Sequence, residues 1–380
     1  MTLPLSALWL DADAVGRMLI DSCYLGDVRD GLRAMIASGI RARTCVTSPP
    51  YWGLRDYGTS TWDGGDANCD HRKKLGGPSA KQMRSGGTQN FQYRDACAKC
   101  GARRVDRQLG LEPTIDEYIA NMVDVFRLVR DVLTDDGTLW LNLGDSYAGG
   151  GRGGNPVDSS HQKQATNIDS WVPPSPLSGL KPKDLAGIPW RVAFALQADG
   201  WYLRQDIIWH KPNPMPEPTR DRCTKAHEYL FLLSKRERYY YDADAIAEPR
   251  VSKGDARSFR GGGKYIGGRS FTADPVGRET TGNGPALRAT RNRRSVWSIA
   301  AERFQESHFA TFPTALVEPC ILAGSAPGDV VLDPFMGSGT VAQVAKALGR
   351  RWVGCELNPH YHAMIARRAA QQGLELPHTA

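Results

Sequence analysis

The stretch Val330-Val331-Leu332-Asp333-Pro334-Phe335-Met336-Gly337-Ser338-Gly339-Thr340 restricts the fold more than any other part of the chain. It runs from an apolar strand, through an acidic tip and a glycine turn, into a helix start that continues to Leu348. Glycines at such a turn let the backbone take positive φ and pass close to a ligand. The strand Trp352-Val353-Gly354-Cys355 follows and ends on Glu356. A ligand held where these strands end lies in the crevice of an open α/β sheet, and an acid about twenty residues on is placed to accept from a ribose diol. Gly-Ser-Gly lacks the third spaced glycine of a dinucleotide site, so the pattern points to a nucleoside cofactor.

The other end of the chain alternates in the same way. Residues 22–27 read as a strand, Leu32 to Ile36 as a short helix and Thr44 to Thr47 as a strand. That strand stops at Ser48-Pro49-Pro50, because two prolines cannot continue a central strand. Thr114-Ile115-Asp116-Glu117 fits a capping box, and Ile115, Ile119, Met122, Phe126, Val129 and Leu133 recur at helical steps. Asp135-Asp136-Gly137 is expected to turn the chain into a strand over 138–143. A helix around 189–198, strands over 202–209 and 228–233, and a helix from about Pro313 complete the pattern. Such alternation predicts a doubly wound, mostly parallel α/β sheet. Residues 58–110 and 146–180 carry no sustained periodicity, the first reading as an insertion and the second as loop.

A chain of 380 residues can bury a core that needs no disulfides, as one large domain with insertions or as two domains. It has no apolar run long enough to span a membrane and no secretory start, so a cytoplasmic location is expected. Five of the eight cysteines stand alone among apolar neighbours, whereas Cys69, Cys97 and Cys100 cluster. Cys69-Asp70-His71 and Cys97-Ala98-Lys99-Cys100-Gly101 offer a Cys3His set suited to tetrahedral zinc, with His71 its least usual member. Lys73, Lys74, Arg94, Arg103 and Arg104 add cations able to meet phosphates around this knob. The net charge is +7, yet residues 250–294 hold eleven Lys/Arg against three Asp/Glu, so the rest of the chain sums to about −1. This Gly-rich stretch reads either as a solvated loop or as a segment that grips phosphates and orders on binding.

Thr47-Ser48-Pro49-Pro50-Tyr51 has the chemistry of amino methylation. The amine of a nucleobase is a poor nucleophile, because its lone pair is delocalised into the ring. Acceptors that take both amine protons localise and aim that pair. A serine hydroxyl and a carbonyl of a rigid Pro-Pro pair can do this, with in-line placement supplying much of the remaining acceleration. The aromatic that follows can stack on a base flipped from the duplex. No strong base is required, since the proton becomes acidic once the nitrogen is alkylated. Taken alone, the pentapeptide is equally a rigid turn beside a core tyrosine. Any zinc in the insertion is expected to be structural, because methyl transfer needs no metal.

Thr47–Tyr51 together with Asp333–Thr340 resembles the N4-cytosine/N6-adenine DNA methyltransferase family. The catalytic loop precedes the cofactor loop, as in its beta-type, circularly permuted members. The resemblance covers roughly 20–57, 110–147, 185–235 and 295–370. It implies a Rossmann-like methyltransferase sheet using S-adenosylmethionine, with Ser48, Pro49, Pro50 and Tyr51 catalytic. Asp333, Pro334, Phe335, Gly337, Gly339 and Thr340 would surround the methionine part of the cofactor. Glu356 would hold its ribose and Asp27 would lie near its adenine ring, while the segment containing His308, Thr311 and Phe312 would close over the methionine end. Trp209, Lys211 and Asn213 would bound the target base, and the basic stretch with Arg291, Arg293 and Arg294 would meet the DNA.

The implied organisation is a catalytic half over 20–57 and an insertion with a zinc site over 58–110. The methyltransferase domain continues over 111–235, followed by a basic recognition region over 236–296 and a cofactor half over 297–372. Members with serine first in the loop are more often cytosine-N4 enzymes, which makes cytosine N4 the expected target and adenine N6 the alternative. Double-stranded DNA is the expected partner, and a homodimer, a cognate restriction endonuclease and a bacterial or phage origin are all compatible with such an enzyme. Enzymes acting on RNA or protein glutamine usually place the cofactor loop before an Asn-Pro-Pro-Tyr loop. A non-catalytic zinc-containing DNA-binding protein would have no need of Ser48, Asp333 and the glycines.

Overall fold

The computed structural model describes residues 9–10, 18–53, 57–74, 90–92, 96–148, 179–217, 219–249, 290–301 and 312–370. The chain divides into two compact units, one of Met1–Tyr241 with Ser295–Ala380 and the other of Asp242–Arg294.

In the first unit, nine strands form one sheet: β1 (Trp9–Leu10), β2 (Ser22–Leu25), β3 (Ala42–Thr47), β8 (Leu133–Leu143), β9 (Tyr202–His210), β10 (His227–Ser234), β13 (Val296–Ser298), β14 (Val330–Asp333) and β15 (Arg351–Glu356). Their spatial order is β1-β2-β15-β14-β3-β8-β10-β9-β13. Every neighbouring pair is parallel except the two made by β10, which runs against both β8 and β9. The helices are α1 (Val28–Ala37), α2 (Ile115–Val132), α3 (Ile188–Ala198), α4 (Thr314–Gly324), α5 (Thr340–Ala347) and α6 (Pro359–Ala370).

Helices α1, α2 and α3 pack as one layer and α4, α5 and α6 as another. The strands are buried by both. Along β8, Leu139, Leu141 and Leu143 join the core that holds Leu32, Phe126 and Val192, while the equally buried Trp140 alternates to the opposite face. Near-continuous apolar runs such as Leu139–Leu143 follow from this double cover. Local signals agree with the ends of elements: the Thr114 hydroxyl accepts from Glu117 N at 3.2 Å, and the Asp27 carboxylate accepts from Arg29 N at 2.8 Å.

The chain departs from expectation at 133–137. The strand begins at Leu133, directly after α2, and Asp135-Asp136-Gly137 lies within it. Leu133 pairs with Ala42 and Thr138 with Thr44, so four residues of β8 oppose one of β3. Asp136 closes this excursion by accepting from the Thr134 hydroxyl at 2.9 Å and pairing with Arg43.

The 58–110 insertion carries two short antiparallel pairs, β4 (Thr61–Asp63) with β7 (Arg103–Val105) and β5 (Arg72–Lys74) with β6 (Asn90–Gln92). In the second unit, β11 (Glu248–Pro249) pairs with β12 (Thr290–Arg291). Most of the basic stretch, 250–289, lies outside the described residues. No helix among the described residues is long and apolar enough to cross a membrane.

Candidate active site

The parallel strands β2, β3, β8, β14 and β15 all deliver their C-terminal ends to one edge of the sheet, and antiparallel β10 delivers its N-terminal end there. A cavity of about 320 Å³ opens at that edge. Its wall contains Asp27, Ser48–Tyr51, Trp209, Lys211, Phe312, Asp333–Ser338, Thr340 and Glu356. Fourteen of the candidate residues, drawn from Asp27 to Glu356, therefore meet around one space.

Asp333 ends β14 almost fully buried, and its Oδ1 accepts from the Thr47 hydroxyl at 2.7 Å and from Phe335 N at 3.0 Å. Thr47 immediately precedes the Ser48–Tyr51 loop, so one carboxylate ties the two halves of the cavity wall together. Burial pushes the Asp333 carboxyl up to about 7, against the opposing pull of those two donors. Glu356 ends the adjacent strand and accepts from Gly337 N at 2.8 Å and Asn358 N at 2.7 Å; burial raises it to about 7 as well. Gly339 caps α5 at φ +83°, where a Cβ would lie 3.0 Å from Ile365 Cα. It shapes the turn from behind and does not line the cavity.

The Ser48–Tyr51 loop is held from several sides. The Tyr118 hydroxyl donates to the Pro50 carbonyl at 3.0 Å. The Tyr51 ring lies against Gly144, where a Cβ would come within 2.4 Å of Cε2. The Tyr51 hydroxyl meets Glu228 Oε2 at 2.8 Å and Asn142 Oδ1 at 2.9 Å, and Ser48 Oγ lies 3.2 Å from it. Burial, with Glu228 adding to it, pushes the Tyr51 phenol well up, so it stays neutral. Trp209 is buried and donates through Nε1 to Ile299 O at 2.8 Å. The Lys211 ammonium sits 4.2 Å from its ring centroid and pairs with Glu228.

Other candidates lie apart from the cavity. Asn213 exchanges hydrogen bonds with the backbone of Ala301 and is absent from the wall. Arg291 and Arg294 both pair with Glu248, at 3.3 and 3.0 Å, and Arg293 is half-buried beside them. His308 and Thr311 lie outside the described residues. Asp145, after β8, accepts from Ser146 N at 2.8 Å and Ile188 N at 3.1 Å and so caps α3.

Sequence reasoning missed several residues of the wall. Asn142 is a buried amide inside the apolar run of β8, and that polar interruption was its signal. Glu228 stands at the start of an antiparallel strand, where a rule based on C-terminal strand ends does not look. Tyr57, Thr59 and Gln108 form the root of the insertion, which therefore shares the cavity wall.

In the insertion, one ligand atom each from Cys69, His71, Cys97 and Cys100 lies within 4.8 Å of the others. Cys69 Sγ and Cys97 Sγ are 3.7 Å apart, and Cys100 Sγ and His71 Nδ1 are 3.5 Å apart. Zn–S of about 2.3 Å and Zn–N of about 2.0–2.1 Å at tetrahedral angles require separations of about 3.8 and 3.6 Å. The residues thus fit zinc. His71 holds φ at +48° and stacks on Trp62 with centroids 4.4 Å apart, which fixes the imidazole in the cluster. Amides of Ala102 and Asp66 lower the Cys100 thiol to about 6, toward the thiolate that binds metal.

Comparison with known proteins places these features in context. The profile of the N6_N4_Mtase family, described as DNA methylase, matches residues 42–367. The Type II methyltransferase M.SmaI of Serratia marcescens is 42% identical over 349 residues, covering 91% of this chain and 90% of the relative. The Type II methyltransferase M.Cfr9I of Citrobacter freundii is 41% identical over 345 residues, covering 91% and 86%. Among solved structures, the cytosine-N4-specific PvuII DNA methyltransferase shares the fold, with a TM-score of 0.51 at 17% identity over 93% of this chain and 87% of that one. A profile match across most of the sheet and relatives above 40% identity lead to one conclusion: this chain belongs to the N6/N4 DNA methylase family and is a DNA methyltransferase.

Proposed function

We propose that the protein is a site-specific methyltransferase that uses S-adenosylmethionine to methylate the N4 amine of a cytosine flipped out of duplex DNA. The observation that carries this reading is the shared cavity, in which Thr47 and Asp333 bond at 2.7 Å and set the catalytic loop against the cofactor strands. S-adenosylmethionine supplies an electrophilic methyl group on a cationic sulfur. The wall suits it: Glu356 offers a buried carboxylate to the ribose hydroxyls, and Asp333, Phe335 and Gly337 flank the place for the methionine part.

Ser48 Oγ and a Pro-Pro carbonyl take the two amine protons. The Pro50 carbonyl is already engaged by Tyr118, which favours the carbonyl of Pro49. Trp209 and the Tyr51 ring wall the base, and the Lys211 ammonium keeps donors for the ring N3 and O2 of cytosine; on its Watson–Crick edge adenine offers only N1 beside its amine. The Cys69, His71, Cys97 and Cys100 cluster holds a structural zinc whose knob, with Arg103 exposed on it, contributes to DNA contact. Arg291, Arg293 and Arg294 belong to a recognition region over 236–296. Cytoplasmic action on a bacterial or phage genome, a homodimer and a restriction endonuclease of the same specificity complete the proposal.

DNA from cells expressing the protein, sequenced by chemistry that separates N4-methylcytosine from N6-methyladenine, tests it. N4-methylcytosine at one sequence motif is expected, lost in Ser48→Ala. N6-methyladenine would overturn the base assignment, and unmodified DNA would overturn the reading itself.

A further inference from the structure

An amine that gains a methyl group must give up a proton, and a serine hydroxyl cannot keep it. Ser48 Oγ lies 3.2 Å from Tyr51 Oη, and Tyr51 Oη lies 2.8 Å from Glu228 Oε2. Asn142 Oδ1 is within reach of both hydroxyls, at 3.3 Å from Ser48 and 2.9 Å from Tyr51. Asn142 Nδ2 donates to Tyr229 O at 3.0 Å, which fixes the amide with its oxygen toward the hydroxyls. Tyr51 has a single proton to give. A carboxylate is a stronger acceptor than an amide, so that proton points at Glu228. Tyr51 Oη is then free to accept from Ser48, and Ser48 offers lone pairs to whatever amine faces it. The other oxygen of Glu228 pairs with Lys211.

We propose that Glu228 is the terminal proton acceptor of the methylation, reached from the target amine through Ser48 and Tyr51. This rests on the assignment of Ser48 as the acceptor facing the amine. The amine nitrogen forms a bond to the methyl carbon as the carbon–sulfur bond breaks, its electron pair remaining on sulfur. As positive charge builds on the nitrogen in the transfer, it passes a proton to Ser48 Oγ. The Ser48 proton moves to Tyr51 Oη, and the Tyr51 proton to Glu228 Oε2. A sulfonium and a carboxylate are consumed, a neutral thioether and a carboxylic acid are formed, and charge is conserved. Each hydroxyl regains the proton it gave, so Ser48 and Tyr51 end as they began. A Ser oxygen is a weaker acceptor than a carboxylate; the fold places a carboxylate two hydroxyls away, at the start of the antiparallel strand. Glu228 acts through Tyr51 and is in that sense a positioning residue as well as the proton's destination.

The test is single-turnover methylation of unmethylated plasmid DNA by the full chain, with tritium-labelled S-adenosylmethionine. Cofactor binding by calorimetry and DNA retention by filter binding are measured on the same samples. Glu228→Gln preserves an acceptor for Tyr51 but takes up no proton, and is expected to slow the transfer by about a hundredfold. Cofactor and DNA binding should stay within about twofold, as expected for a group that acts only in the transition state. Tyr51→Phe keeps the ring, leaves the Lys211 pair intact and should lose a similar factor. The double variant should be no slower than either single one, since both interrupt the same chain. Glu228→Asp should recover part of the rate. Wild-type speed in Glu228→Gln, losses that multiply in the double variant, or a matching loss of DNA binding would each overturn the relay. Ser48→Ala separates the two levels: if it is inactive while Glu228→Gln is active, the relay alone fails, and if it is active the assignment of Ser48 fails too.

Discussion

Binding of the methyl donor should draw protons out of the cavity. Asp333 and Glu356 end adjacent strands, and burial holds both carboxyls near 7 in the free protein. Ribose hydroxyls that donate to Glu356 favour its ionised form, so a protonated Glu356 must lose its proton on binding. A group with a pKa of about 7 is about one-tenth ionised at pH 6 and about nine-tenths at pH 8. Affinity linked to it alone therefore tightens about tenfold over that range, or about 1.4 kcal/mol. The same linkage through Asp333, acting on the cationic methionine end, steepens the dependence. The direction has a counterpart in stability: both folded pKa values lie above those of an unfolded chain. The unliganded protein therefore loses stability as pH rises from about 4 through 7, while the unfolded chain holds fewer protons. The ligand 5′-methylthioadenosine keeps the ribose and lacks the amino-acid end, so its pH dependence isolates Glu356. Calorimetry at pH 6, 7 and 8, in two buffers of different ionisation enthalpy, gives both affinity and protons released. A flat affinity for 5′-methylthioadenosine between pH 6 and 8, with no proton release, would refute the assignment of a protonated Glu356 to the ribose site.

Three further outcomes follow from described contacts. Elemental analysis of the purified protein should find about one zinc per chain, and Cys97→Ser should abolish it and lower the melting temperature, because structural zinc contributes folding energy directly. Thr47→Val removes a buried donor from Asp333; denaturant titration should show a loss of about 1–3 kcal/mol, and the pH midpoint of cofactor binding should move upward. Gly339→Ala puts a side chain at φ +83° and 3.0 Å from Ile365 Cα, so it should cost about 1–3 kcal/mol by denaturant titration and weaken S-adenosylmethionine binding by calorimetry.

The sheet was legible because its double cover writes apolar runs into β8, β14 and β15, and because prolines and glycines mark where strands stop. The two acids of the cavity wall, Asp333 and Glu356, were legible because parallel strands present their last residues at one sheet edge. Glu228 was hidden by strand direction: at the first turn of an antiparallel strand it looks like any exposed acid, and its partners Tyr51 and Lys211 are distant in sequence. The root of the insertion was hidden for another reason. Tyr57 and Gln108 meet through a backbone-to-side-chain bond of 2.7 Å, a pairing that no local periodicity announces. The excursion at 133–137 misled because Asp-Asp-Gly is common turn chemistry, whereas the Ala42–Leu133 pairing and the bond from Lys235 N to Gly137 O keep the chain in the sheet.

The order β2-β15-β14-β3 has a consequence for synthesis. The two strands that emerge early from the ribosome are not neighbours; the gap between them is filled by the two strands made last. Until β14 and β15 appear, β2 and β3 each present an open edge, and Asp333 and Glu356 do not yet exist. Trp352 N closes onto Asp21 across 331 residues of chain, at 3.0 Å. Such long-range closure slows folding and leaves unpaired strand edges exposed in the nascent chain, where chaperones act. The permuted order that leaves the chemistry untouched thus delays the moment at which the enzyme can first bind its methyl donor until β14 and β15 have been made.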